Sequence, residues 1–140
     1  MALIDHVYKA SNRTLQFDDS TDTLLAQAVN GDDGDGVIYV TPSSASNKIQ
    51  DSTDPGINQI VVSIVDTLSG AGDVVAADLK LATSQGNLGS ATGGASLNIG
   101  ATILGSSPSV EVWYRWANSV GDGEYTNIEL EISERIESAI

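Results

Sequence analysis

Three aspartates lie close together among glycines near the start of this sequence, namely Asp32, Asp33 and Asp35. Carboxylates at such spacing invite comparison with a calcium-binding loop, in which an invariant glycine allows a sharp turn. If Gly36 is taken as that glycine, the first ligand position falls on Gly31 and the last on Pro42, where a bidentate Glu is required. We therefore expect an acidic turn with no metal, and a weak calcium site at the three aspartates is the alternative.

The residue types needed for nucleophilic or cofactor chemistry are scarce. His6 is the single histidine, so a site with two His ligands is excluded, and any Ser, His and Asp triad would have to use this residue. No serine lies in a nucleophile-elbow pattern. The glycine-rich stretch 86–94 lacks the lysine of a phosphate-binding loop. We expect neither an enzyme nor a bound cofactor.

Glu129 and Glu131 form the one carboxylate pair with a spacing suited to catalysis. On a strand they would share a face about 7 Å apart, a separation within the range used by glycosidases. The same face is expected to offer Arg115 and Trp113. A solvated, charge-paired sheet surface is therefore the favoured interpretation.

Trp113, Tyr114 and Trp116 place three of the seven aromatic residues within four positions. Because side chains alternate along a strand, Trp113 must point away from the face that carries Tyr114 and Trp116. Three roles remain open for Trp113: packing between sheets, a protein interface, or a platform for a sugar ring.

The elements that position these residues are predicted to be strands. The chain is 41% hydrophobic but only 5% aromatic, so a core of Val, Ile, Leu and Ala is expected. Strands separated by Gly, Ser, Asn, Asp and Pro clusters predict an all-β fold, an antiparallel β-sandwich of jelly-roll or immunoglobulin-like topology over residues 37–140. The predicted strands are Val37 to Thr41, Gln59 to Thr67, Val74 to Thr83, Ser96 to Leu104, Ser109 to Ala117 and Tyr125 to Ser133.

Side-chain patterns give these strands their predicted environment. Residues 60–65 are apolar on both faces, which favours a central strand covered twice, by the second sheet and by the N-terminal segment or a neighbouring subunit. Alternation in 74–83 predicts a half-buried strand with Asp78 and Lys80 pointing outward. The last two strands are expected to form a hairpin near Asp122, with Trp116 opposite Ile128.

The first 36 residues lack this patterning. They are predicted to form an N-terminal arm, or a short helix over 23–29 that Ser20 caps, followed by the acidic turn. Segments 42–56 and 84–95 are rich in Ser, Gly, Asn and Thr and are expected to be long loops.

The net charge of −13 argues against partners that carry negative charge, so we expect no nucleic-acid and no membrane partner. The absence of cysteine excludes disulfides. The N-terminus does not have the pattern of a secretory signal, and no apolar run is long enough to cross a bilayer. Synthesis in a cytoplasm, with delivery to an exterior site by assembly or lysis, is expected.

In overall style the chain resembles the capsid decoration, or cement, proteins of tailed bacteriophages. The likeness rests on strong acidity, the lack of cysteine, a loose N-terminal segment and a Val-, Ala-, Gly- and Ser-rich sandwich that ends in the stretches 109–116 and 125–132. The resemblance implies a trimeric β-sandwich on the capsid exterior of the virion, which clamps neighbouring copies of the major capsid protein.

Apolar residues without a periodic position are the expected contacts with such a partner. They are Leu3, Ile4, Tyr8, Leu15 and Phe17, together with Trp113. Deletion of residues 1–19 is expected to abolish capsid binding and to leave a folded domain. The alternatives are a carbohydrate- or receptor-binding module of a phage tail or cell surface, a fibre or surface-layer subunit, and an enzyme with a carboxylate pair in a cleft.

Overall fold

The computed structural model describes residues 6–10, 14–16, 27–28, 35–66, 75–116, 123–124 and 128–140. Two short 3-10 helices, Ala76–Asp78 and Gln85–Ser90, accompany the strands. The strands are β1 (Val7–Ala10), β2 (Thr14–Gln16), β3 (Gln27–Ala28), β4 (Asp35–Val40), β5 (Asn47–Asp51), β6 (Val61–Asp66), β7 (Leu79–Ala82), β8 (Leu97–Asn98), β9 (Thr102–Leu104), β10 (Val110–Trp116), β11 (Gly123–Glu124), β12 (Ile128–Ile132) and β13 (Arg135–Ala139). The all-β, sandwich-like fold predicted from the sequence is confirmed.

One layer is a five-stranded antiparallel sheet in the order β2-β1-β4-β10-β7. Along each of its strands, successive side chains point alternately to the inward and the outward face, as the pleat requires. Ile38 and Val40 of β4 are buried, and so are Val112 and Trp116 of β10. This sheet therefore closes one side of the core.

The second layer consists of two three-stranded sheets, β12-β6-β8 and β13-β5-β9. The strand order is the same in both, and each strand of one sheet is followed or preceded along the chain by its counterpart in the other. The two sheets are thus halves of one kinked layer. At the kink, the φ of Gly100 is +120°, a value that glycine adopts without a Cβ clash. The Ser133 N–H donates to the Val61 carbonyl at 2.9 Å, and the Ser52 N–H donates to the Glu134 carbonyl at 3.1 Å. These two hydrogen bonds join the halves.

The core lies between the two layers. Each buried aliphatic side chain contributes about 1.5–3 kcal/mol to folding through removal from water. The cluster takes residues from both layers, namely Val7, Ile38, Val40, Ile49, Ile60, Val62, Leu79, Leu81, Ile99, Ile103, Val112, Trp116, Ile128, Leu130 and Ile132.

The predicted hairpin near Asp122 is wrong. β10 pairs with β4 and β7, whereas β12 pairs with β6 in the other layer. Trp116 therefore lies opposite Leu79, and Ile128 lies opposite Asp66. Both strands do turn their apolar rows inward, but those rows face each other across the core rather than along one sheet.

The strand predicted over 74–83 begins later than expected. Ala76–Asp78 is a 3-10 helix, Val75 is exposed, and Asp78 is buried. The Asp78 carboxylate accepts a hydrogen bond from the Val75 N–H at 3.0 Å, so a local side-chain bond stabilises the helical turn. The alternating pattern holds only from Leu79 onward.

The strands β5 and β13 were not predicted. β5 lies within the segment expected to be a loop, and β13 continues the chain beyond β12 through the kink. Segment 84–95 was expected to be a long loop, but it contains the Gln85–Ser90 3-10 helix. The central position predicted for residues 60–65 is correct, since β6 lies between β12 and β8; its outward residues Val61 and Val65 are half-buried.

The N-terminal segment contributes to the main sheet. β1 pairs with β4 across the boundary expected near residue 36, and Val7 belongs to the core. Gln27 and Ala28 were expected in a short helix. They instead form β3, which pairs with β11, so pairing with a distant strand overrides the local helix pattern. Ser20 and the rest of the predicted helix lie outside the described residues. No helix within the described ranges is long and apolar enough to span a bilayer.

Candidate functional site on the outer face of the five-stranded sheet

Four apolar or aromatic side chains share the outward face of the five-stranded sheet. The register places Tyr8 opposite Tyr39, and Val37 opposite Trp113. All four alternate with inward core residues on their strands, so they point away from the core. We call Tyr8, Val37, Tyr39 and Trp113 the outer patch.

Trp113 lies on β10, between the central strand β4 and the edge strand β7. Its indole N–H donates to a Glu111 carboxylate oxygen at 3.0 Å, and the short side chain of Ala82 lies opposite it on β7. The helix Gln85–Ser90 contacts both β7 and β10 and buries Leu88. Trp113 is half-buried, so part of its side chain is accessible.

A charged pair borders the outer patch. Asp35 accepts two hydrogen bonds from the Arg115 guanidinium, from Nε at 2.7 Å and from a terminal nitrogen at 3.0 Å, and one from the Gln85 amide at 3.1 Å. The Arg115 hydrogen bond, with help from Gln85, lowers the pKa of Asp35 from 3.8 to about 2. Lys80 lies opposite Arg115 on β7, so this end of the face carries both signs of charge.

The calcium alternative finds no support in the position of Asp35. Both of its carboxylate oxygens accept hydrogen bonds from Arg115, because the two residues are directly opposite on β4 and β10. Asp32 and Asp33 lie outside the described residues. Across the described ranges, no three His, Asp or Glu side chains come together as a metal site would require.

The predicted contact residues are placed unequally. Tyr8 has a place in the sheet and is only 6% exposed, so the expectation that it has no position in the sandwich is wrong. Strand pairing with β4 supplies that position. Leu15 lies on β2, whereas Leu3, Ile4 and Phe17 lie outside the described residues. The structure brings Tyr8 and Trp113 onto one sheet face, which the sequence did not predict.

The carboxylate pair Glu129 and Glu131 lies elsewhere. Both residues are on the outward side of β12, opposite Val65 and Ser63 of β6. Arg115 and Trp113 belong to the other layer, so the expected charge pairing on this face is wrong. The reason is the same pairing that replaced the predicted hairpin.

A polar cluster that the sequence did not reveal joins the N-terminal segment to β13. We call His6, Ser43, Asn47, Arg135 and Glu137 the His6–Glu137 cluster. One Glu137 oxygen accepts from the His6 Nε2 at 2.7 Å, and the other accepts from the Ser43 hydroxyl at 2.6 Å, the Ser43 N–H at 3.0 Å and the Asn47 amide at 2.8 Å. A signal for this cluster was absent because its members are far apart in sequence.

The geometry of the His6–Glu137 cluster does not activate a nucleophile. Arg135 Nε donates to His6 Nδ1 at 3.1 Å, so the contacts fit a ring whose proton is on Nε2. Both ring nitrogens are thus engaged, and the Ser43 hydroxyl donates to Glu137 rather than to His6. Burial raises the pKa of Glu137, but the hydrogen bonds from Ser43, Asn47 and His6 outweigh it, and the pKa falls from 4.5 to about 2. The cluster acts as a clamp between elements.

Comparison of the chain with known proteins identifies no matching family model, no matching curated protein and no matching solved structure. Function is therefore inferred from the outer patch, the charge of the chain and the two layers that display them.

Proposed function

We propose that this protein is a non-enzymatic structural protein of a virion, which decorates the exterior of a phage capsid and stabilises it by binding the major capsid protein. The observation that carries the proposal is the outer patch. Three of its side chains, Val37, Tyr39 and Trp113, are half-buried on a sheet face and retain accessible apolar surface. The resemblance noted from the sequence supplies the identity of the partner and implies a homotrimer.

The chemistry of this face suits a protein surface. Trp and Tyr are enriched among the residues that contribute most to protein interfaces, because they bury a large area with few rotatable bonds. The hydrogen bond from the Trp113 indole to Glu111 restrains the ring, and such restraint reduces the entropy lost on binding. The acidic and basic groups at the border, Asp35, Arg115 and Lys80, match the polar rim of an interface.

Binding to many copies of one shell state would stabilise that shell by mass action. A ligand that binds only the assembled shell adds about 2.7 kcal/mol per site when it is present at 100 times its Kd. The net charge of −13 keeps unbound copies soluble and directs them away from nucleic acid. Both properties suit a protein that is added to the outside of a completed container.

The test is binding to expanded, DNA-free heads of the phage that encodes the chain, measured by co-sedimentation and densitometry. Wild-type protein should saturate the heads, and Trp113→Ala should lower the affinity at least about tenfold, the effect of losing about 1.4 kcal/mol at an interface centre. Ile57→Ala is the matched control, since Ile57 is an exposed apolar residue between β5 and β6, which do not belong to the five-stranded sheet. Absence of wild-type binding, or equal binding by Trp113→Ala, would contradict the proposal.

A carbohydrate- or receptor-binding module is the second candidate, favoured by one observation. An oriented indole beside a carboxylate, as in Trp113 and Glu111, offers a stacking surface and a hydrogen-bond acceptor for a sugar ring. A glycan array probed with the wild-type protein tests this. A hit that Trp113→Ala removes would favour the module, and silence across the array would count against it.

A further inference from the structure

β13 lies at an open edge of the kinked layer. The sheet order places β5 on one side of β13 and, within the described residues, no strand on the other. Exposed sheet edges carry unpaired N–H and C=O groups and pair readily with another strand. The edge contains no proline and no lysine, and its two charged residues, Arg135 and Glu137, are engaged with His6 within the chain.

The orientation of the backbone groups on β13 follows from two hydrogen bonds. The Glu134 carbonyl accepts from Ser52, and the Ile140 N–H donates to the Ser46 carbonyl at 2.9 Å, so residues with even numbers direct their backbone groups toward β5. Successive residues of a strand alternate in this direction. Glu137 and Ala139 therefore direct their N–H and C=O groups toward the open edge.

Apolar side chains accompany this edge. Ile136 is 43% exposed and Ile140 is 62% exposed. The side chains of even-numbered residues in this segment point away from the core. Ile57, at 71%, is in a loop whose Gly56 lies against Gln50, the residue opposite Ile136. Three of the four large hydrophobic side chains that are exposed within the described ranges therefore belong to this region.

We propose that β13 pairs with β13 of a second copy of this chain, antiparallel across a twofold axis at Ser138. This register places Glu137 opposite Ala139 of the other copy. The N–H and C=O groups of these two residues then form hydrogen bonds with each other, and the same pair recurs on the other side of the axis. It also places Ile136 opposite Ile140 of the other copy, which buries both exposed isoleucines. A register centred on Glu137 would instead set two like charges opposite each other, which is unfavourable.

The charges of the strand do not oppose this contact. Glu137 is bound within its own chain by His6, Ser43 and Asn47, and Arg135, two residues away, carries the opposite charge and donates to His6. The net charge of −13 on each copy still repels at long range. Association should therefore strengthen as salt screens that repulsion over distances of about 10 Å at 0.1 M.

Cysteine crosslinking tests the register directly, since the chain has no cysteine of its own. Ser138 would form a non-hydrogen-bonded pair with its own copy, with Cα atoms about 4.5 Å apart, within the range that a disulfide spans. Ser138→Cys should form a disulfide-linked dimer under mild oxidation at least several-fold faster than Asn87→Cys, an exposed control in the Gln85–Ser90 helix. Equal rates would overturn the proposal, even if the protein were dimeric.

Sedimentation velocity over a concentration series gives the second measurement. The wild-type protein should show copies in multiples of two: a dimer, or a hexamer if a threefold contact also exists. Ala139→Pro removes an N–H that faces the open edge and should weaken association. Ile136→Lys should do so without altering the backbone, and its circular dichroism confirms folding. A monomer or a trimer at every concentration and salt would overturn the proposal and would leave the capsid-binding proposal to its own test.

Discussion

Glu137 shows how a single polar side chain holds distant parts of the chain together. It accepts hydrogen bonds from His6 before β1, from Ser43 after β4 and from Asn47 in β5, although it lies on β13. Each hydrogen bond to a charged group contributes about 1.5–3 kcal/mol when its loss leaves the partners unsatisfied. The carboxylate therefore stabilises the junction between the two layers.

Glu137→Gln should destabilise the protein by about 1–3 kcal/mol, because an amide loses the charge and cannot accept at both positions. Urea denaturation followed by circular dichroism measures the free energy of unfolding. Glu134→Gln is the matched control, since Glu134 is exposed, and its effect should stay within about 0.5 kcal/mol. Equal effects of the two substitutions would show that the cluster adds nothing to stability.

The stabilisation from Glu137 should depend on pH. Its pKa is about 2 in the folded protein against an ordinary value of 4.5, so the unfolded chain binds the proton more readily. The contribution is fully present above about pH 4.5 and is lost as the pH falls toward 2. The difference in unfolding free energy between wild type and Glu137→Gln should shrink over that window. A difference that is constant from pH 6 to 2.5 would contradict the assignment.

Among the elements, those with strict alternation were predictable from the sequence. β4, β10 and β12 were expected because their apolar residues recur at every second position, and each buries that row. The strands that pair with them were not predictable, because pairing was expected between strands that follow each other in sequence. β10 instead pairs with β4, which places Trp113 opposite Val37, more than 70 positions away.

β5 and β13 escaped prediction for a different physical reason. Their inward positions include polar residues, namely Asn47 and Asp51 in β5 and Glu137 in β13. Asn47 and Glu137 are half-buried and hydrogen-bond to each other, and Asp51 is buried and accepts hydrogen bonds within a local turn. Asp51 accepts from the Thr53 and Asp54 N–H groups, which lowers its pKa. Such compensation depends on residues far apart in sequence and leaves no periodic signal.

Gly36 on β4 should be intolerant of a side chain. Tyr114 lies directly opposite on β10, and its ring occupies the space that a Cβ would need. Gly36→Ala should therefore destabilise the protein by about 1–3 kcal/mol through overpacking. Thermal and urea unfolding measure this effect.

Gly89→Ala is the matched control for Gly36→Ala, because nothing lies within 4 Å of the added methyl group. A double variant Gly36→Ala with Tyr114→Ala should show a coupling energy, since removal of the ring frees the space. Strict additivity of the two single effects would contradict the close approach.

At the scale of the whole molecule, β1 and the strands after residue 35 share one sheet and one core among the described residues. β1 contributes Val7 to the shared core and hydrogen-bonds to β4, so this strand belongs to the sandwich. The sequence alone suggested otherwise because β1 and β2 are short and flanked by polar residues. Tyr8 was expected to contact a partner, but its position opposite Tyr39 in the sheet could not be inferred, whereas the outward direction of Trp113 followed from alternation.

Deletion of residues 1–19 should therefore unfold or strongly destabilise the domain, in contrast to the expectation from the sequence. Loss of β1 exposes the edge of β4 and removes a fully buried valine. Val7→Ala should reproduce part of the effect, about 1–3 kcal/mol. Differential scanning calorimetry should show one cooperative transition in wild type and a lowered or absent one in the deletion. An unchanged transition would contradict the shared core.

The loop 53–59 has a practical consequence for engineering. Its two ends are fixed to one neighbouring segment, since Ser52 bonds to Glu134 and Val61 accepts from Ser133, while its tip is exposed. Foreign peptide inserted between Pro55 and Gly56 would extend the tip in place of the turn in which Ile57 and Asn58 donate to the Asp54 carbonyl, while the loop ends stay anchored. Lengthening a surface loop costs only about 0.6 kcal/mol per doubling. The kink thus supplies a ready display position for an epitope or affinity tag on this scaffold.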